Sequence, residues 1–267
     1  MFVFLIKKTF FDMWDNMFRV ILMNLGFLAV LAIFFLLAPW VAGLAGVGNV
    51  LLVVTLVLGA VLLSVYSGAV SRMTSEIADY KQPGFAEFYA YAKESLPTSL
   101  LFGLLLVVYA FVLQVAFPFY WNQFKTGGMQ QWLGLLAASL LFWVTLAFAL
   151  SSQYYFPIQS RLDKRLPKML RKMMLLFFDN TLFTVGLFLG AILVTGISLF
   201  TAFLLPGISC VFLWWNVALK LRLLKYDWIE QNPDANRKKV PWDALLIDDR
   251  ERVGKRTLKG MIFPWKE

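Results

Sequence analysis

Few side chains in this 267-residue chain could do chemistry at a site. There is no histidine and a single cysteine, Cys210, which removes imidazole bases, imidazole metal ligands, thiol clusters and any intrachain disulfide. The apolar stretches carry no paired carboxylates, no nucleophile beside a base and no glycine-rich phosphate loop, so no catalytic, cofactor or metal residue is assigned. Three other sets remain. Uncharged polar residues interrupt the apolar stretches: Asn24, Gln114 and Asn216, with Ser64, Ser67, Ser139, Thr145, Thr195, Ser198 and Thr201. Such amides either bond neighbouring helices, at ~0.6 to 2 kcal/mol each, or line a path for an uncharged solute. Arg161, Lys164, Arg165, Lys168, Arg171 and Lys172 recur at helical spacing opposite Leu162, Leu166, Met169, Met173 and Leu176. That pattern predicts a basic amphipathic helix whose partner is anionic lipid, with Pro167 as its kink or its first turn. Phe85, Phe88, Tyr89 and Ala92 share one helical face, which packs on the bundle, sits at headgroup depth or docks a cytoplasmic partner.

The elements that must position these residues are read from the charges. Hydrophobic residues make up 60% of the chain and charged ones 15%, against about a quarter charged in soluble domains. Residues 20–71, 95–124, 126–160 and 180–219 contain no Asp, Glu, Lys or Arg. The gaps accommodate six spans of ~20 residues, near 20–41, 48–70, 97–119, 131–153, 181–204 and 207–225. The expected fold class is all-α, a polytopic six-helix transmembrane bundle with interfacial amphipathic helices. Of the 25 Lys and Arg, all except Lys125 fall on one side of this arrangement. The positive-inside rule then places both termini in the cytoplasm of a multi-pass inner-membrane protein. The net charge of +9 lies at the anionic leaflet and needs no nucleic-acid partner. The run from Val20 is too long for a signal-peptide core and reads as a retained first helix.

Residues 1–19 place Lys8, Asp12, Asp15 and Arg19 on one stripe, predicting an interfacial helix with a solvated charged edge. Two short helices broken at Pro83 and Gly84 are expected after the second span. Residues 20–225 form the membrane domain. Residues 226–267 form a cytoplasmic tail, anchored through 244–247 and 261–265 or else disordered. The turn between the last two spans is expected at Pro206-Gly207, with Gly196 as the alternative. Similar frames at Ser71-Arg72 and Ser160-Arg161, and at residues 98–103 and 181–186, suggest a duplicated hairpin.

The segment Tyr154-Tyr155-Phe156-Pro157-Ile158-Gln159-Ser160-Arg161-Leu162-Asp163, followed by basic residues and Phe178-Asp179-Asn180-Thr181-Leu182, resembles the central motif of the YesL-like bacterial membrane proteins. Asn24-Leu25, Pro39 and Tyr66-Ser67-Gly68-Ala69 fit the same pattern, over about residues 1 to 225. The family has no assigned biochemical activity and offers no catalytic residue to carry over. Its members' frequent neighbours, sugar ABC importers and glycan-degrading enzymes, imply an accessory role in carbohydrate uptake. Two functions stay open: a non-enzymatic membrane accessory or scaffold, and a transporter or channel for an uncharged solute such as a sugar. The absence of charge inside the predicted spans, apart from Lys220, Arg222 and Lys225 at the cytoplasmic end of the sixth, favours the first.

Overall fold

The computed structural model describes residues 1–44, 46–126, 128–234, 236, 240–254 and 256. The predicted anchor at 261–265 lies outside them. The elements are α1 (Phe2–Asp15), α2 (Met17–Ala42), α3 (Gly48–Ala78), α4 (Phe85–Thr126), α5 (Met129–Ser152), α6 (Tyr155–Arg161), α7 (Leu166–Asp179), α8 (Thr181–Leu199), α9 (Gly207–Gln231), α10 (Trp242–Leu245) and α11 (Ile247–Val253). The fold is an all-α polytopic bundle in which six helices are long and apolar enough to cross a membrane. Three boundaries differ from expectation. The predicted helix pair around Pro83 is absent, because α3 runs on to Ala78 and α4 starts at Phe85 and continues through Pro97 and Pro118. The predicted fifth span ends at Leu199, and the sixth helix continues past 225 to Gln231.

Side chains are buried at one end of the molecule. α9 is its central post, with Cys210, Leu213, Trp214, Val217, Ala218 and Leu221 enclosed by α1, α2, α3, α6 and α8. In α2 beyond Phe27, and in α4 beyond Gly103, no described residue is buried. The far halves of α2–α3 and α4–α5 are thus two apolar hairpins that touch each other and little else. That surface suits lipid, where apolar side chains lose nothing by facing outward. The hairpins meet along small residues. A Cβ on Gly68 of α3 would collide with the side chains of Ser99 and Ser95 of α4, so the helices approach more closely there than any larger residue permits.

α1 departs from expectation at its charged edge. Half of the stripe is not solvated: Lys8 is 0% exposed and Asp12 is buried beside it, whereas Asp15 is exposed. Phe2, meanwhile, reaches edge-on to Phe183 and Trp214. Leu5, Phe11 and Met13 are enclosed as well, while Val3, Ile6 and Trp14 of the same helix are exposed.

Candidate functional site

Of the three amides singled out, the structure brings two into the interior. Asn24 of α2 donates to Leu204 O and Pro206 O, each at 2.9 Å, and its Oδ1 accepts from Ser209 N at 2.8 Å and Ser209 Oγ at 2.7 Å. All of its hydrogen-bonding capacity is used. Asn216 of α9 donates to Ser71 O, Ser71 Oγ, Thr74 Oγ1 and its own Phe212 O at 3.0 to 3.1 Å, leaving Oδ1 without a partner among the described residues. Gln114 does not join them. Its side chain is exposed on α4, with no hydrogen bond among the described residues.

Residues at the α5–α6 junction, not proposed as site residues, carry as many interior contacts. Tyr155 donates to Thr98 O at 2.9 Å, Tyr154 pairs with Thr184 Oγ1 at 2.8 Å, and Gln159 Nε2 reaches Ser95 O and Ser99 Oγ. The signal was the YYxxxQ spacing itself, three long polar-tipped side chains entering a run without charge. A polar cleft opens beside them, lined by Arg72, Tyr91, Glu94, Thr98, Gln159 and Lys164, with an internal volume of about 10 Å³. That is room for one water. Arg72 is already bonded to Ser160 O and Glu76.

The densest charged arrangement surrounds Tyr80, just past the end of α3. Its φ of +61° is the left-handed conformation that usually falls to glycine, and Lys81 N–H closes the helix end on Glu76 O. Three cations face the ring: Lys8 Nζ at 3.6 Å, Arg252 at 4.9 Å and Lys220 Nζ at 5.0 Å from its centroid. Lys8 pairs with Asp12 at 2.8 Å, and Lys220 with Asp249 at 3.0 Å and Asp79 at 3.6 Å. Burial pushes Asp12 up to about 6 against the pull of Lys8, and burial lowers Lys8. Burial, followed by Asp249, holds the Tyr80 phenol well above its ordinary range. The cluster joins α1, α3, α9 and α11, and so fastens the tail: Leu246 and Val253 are buried, and Lys7 donates to Gly254 O at 3.0 Å. Its chemistry is cation–π and ion pairing. Among the described residues no three of His, Cys, Asp and Glu could hold a metal ion.

The predicted basic stripe is divided. The chain breaks after Arg161, and Pro167 sits in the first turn of a new helix, α7, where its missing N–H costs nothing. Arg161 turns inward, to Asp79 at 2.7 Å and Ser75 O at 2.9 Å. Lys164 pairs with Glu94 and Lys172 with Asp163. Only Arg165, Lys168 and Arg171 project from the surface with no ion pair among the described residues. Replacing those three by Gln is expected to strip anionic phospholipid from the solubilised protein, most at low salt, by about 1 kcal/mol per charge. The pair Lys164→Gln and Lys172→Gln should retain it. Equal loss in both variants, read by mass spectrometry of bound lipid, would refute the division. The aromatic face also splits. Phe85 and Tyr89 point outward, Tyr89 at 77% exposure, whereas Phe88 turns inward against Tyr66, ring centroids 5.4 Å apart.

Comparison with protein-family models, with curated proteins and with solved structures finds no match to this chain.

Proposed function

We propose that this multi-pass membrane protein is a non-enzymatic accessory or scaffold subunit that docks a larger membrane complex. The carrying observation is the contrast between its amides. Asn24 and Asn216 are consumed by bonds between helices, while Gln114 faces outward among Val108, Phe111 and Val115 of α4. An interior spent on its own contacts suits a scaffold, and an outward amide at bilayer depth suits a second helix that bonds to it. Phe85 and Tyr89 extend that docking edge beyond the bilayer.

The membrane lies around the far halves of α2–α5 in this reading, with Trp40, Trp121 and Trp132 exposed at its outer interface and the basic end, including both termini, in the cytoplasm. The setting in a bacterial inner membrane and in carbohydrate uptake rests on the resemblance to YesL-like proteins, and a sugar ABC importer is the partner it implies. Purified protein in liposomes is expected to move no sugar. Native-level affinity purification is expected to recover a membrane complex that Gln114→Leu weakens about five- to thirtyfold, since one buried amide contact is worth ~1 to 2 kcal/mol. Saturable sugar flux, lost on Asn216→Leu in a folded protein, would decide for a transporter instead.

A further inference from the structure

Residues 200–206 join α8 to α9, where a hairpin that crossed the membrane would meet water on the far side. Their contacts place them elsewhere. Leu204 O and Pro206 O accept from Asn24, two turns into α2. Ser209, at the start of α9, donates to Val20 O of α2 at 3.1 Å. Tyr66 of α3 donates to Met23 O at 2.9 Å, so it stands at the same height. From that height α2 continues to Ala42, and α3 arrives from Gly48, about 18 residues in each case. At 1.5 Å per residue this is ~27 Å, close to the ~30 Å of a hydrocarbon core. α4 likewise runs on from Ser99, which accepts from Ser64 of α3, to Thr126. The α8–α9 hairpin stops nearly one bilayer thickness short of the face where α2–α3 and α4–α5 turn.

The N–H groups of the turn find their acceptors within the protein. Phe200 N–H bonds Ile197 O, Thr201 N–H bonds Ser198 O, and Ala202 N–H bonds Leu199 O. Phe203 N–H returns to Ser198 O, and Leu204 N–H to Thr201 O. Leu205 N–H takes Thr201 Oγ1, and Gly207 N–H takes Ser198 Oγ at 2.9 Å. Pro206 has no N–H. The first free N–H groups of α9 would normally be left to solvent, yet Ser209 N–H is capped by Asn24 from another helix. Irregular backbone at membrane depth persists where protein supplies its partners, and here protein supplies them for these N–H groups. Around it, Leu189, Ile192, Leu193 and Ile197 face outward, and Phe200 is 93% exposed.

We infer that α8–α9 is a re-entrant hairpin. It enters from the face that carries the basic residues, turns back at the depth of Asn24, just inside the hydrocarbon boundary of that leaflet, and never reaches the face of Lys125. Only α2 to α5 then cross the bilayer. The inference rests on the membrane placement proposed above, and the termini share one side whether the hairpin crosses or not, so terminal reporters are blind to it.

Two measurements test it in a Cys210→Ala background. In intact cells a membrane-impermeant maleimide is expected to label Val47→Cys and not Phe200→Cys. In liposomes, spin-label pairs are expected to give a short distance for Leu25→Cys with Phe200→Cys, and ~27 Å or more for Val50→Cys with Phe200→Cys. External labelling at position 200, or a 50/200 distance as short as the 25/200 distance, overturns the re-entrant hairpin. Failure to label position 47 from outside with both distances as expected overturns the membrane orientation instead, and with it the statement of which leaflet the hairpin enters.

Discussion

Lys8→Met and Asp12→Leu, made singly, are each expected to lower stability by about 3 to 5 kcal/mol, while the double variant should return to within ~1 kcal/mol of the parent or exceed it. The pair lies 2.8 Å apart with Lys8 fully enclosed, so removing either member strands the other away from water. Lys8 alone would retain the Tyr80 ring but also face Lys220, and Asp12 alone would have to take up a proton. Replacing both ends the desolvation cost altogether. The pH dependence carries a definite sign. Burial raises Asp12 from 3.8 to about 6, so between those values the folded protein binds more protons than the unfolded chain. Stability from this group is therefore full below about 4 and is lost as pH rises to about 6, by ~3 kcal/mol at most at 1.36 kcal/mol per unit. Lys8, lowered by burial, acts oppositely at alkaline pH, where the unfolded chain binds the extra proton and stability rises. Chemical unfolding of the parent and the double variant in detergent at several pH values reads both effects. Additive single losses, or a parent-minus-double difference that does not fall between pH 4 and 6, would refute the account.

That pair also shows what was legible beforehand. The charge-free stretches located the long apolar helices, because a charge inside hydrocarbon is costly wherever it comes from in the chain. Lys8 and Asp12 gave no such signal. An i, i+4 pair looks the same in water as under a docked helix, and its neighbours Tyr80, Lys220 and Asp249 arrive from distant parts of the chain. The basic stripe was legible only in part: spacing placed Arg161 with Lys168, but Asp79, from the end of another helix, withdrew Arg161. Gln114 and Asn216 were indistinguishable as sequence, since nothing local says which side of a helix meets protein. Asn24 was legible as an interior amide. Its partner was not, because the turn it holds lies 180 residues away.

Asn24→Leu is therefore expected to be the most damaging single change in the apolar part of the molecule. It deletes two donors and one doubly used acceptor, stranding Leu204 O, Pro206 O and Ser209 N–H where no water replaces them. Each stranded buried group costs ~1 to 3 kcal/mol, so a loss of at least ~3 kcal/mol is expected, concentrated in the α8–α9 hairpin. Asn24→Asp separates the two halves of the role: a carboxylate could still accept from Ser209 but could donate nothing to the two carbonyls, so it should rescue little. Hydrogen exchange of the detergent-solubilised protein should show protection lost first around residues 200–209 and only later in α3–α4, whose seam does not involve Asn24. Were Asn24 instead a contact for a passing solute, Asn24→Leu would leave that protection and the unfolding midpoint unchanged while altering flux, because a residue held for a ligand is not needed to close its own fold.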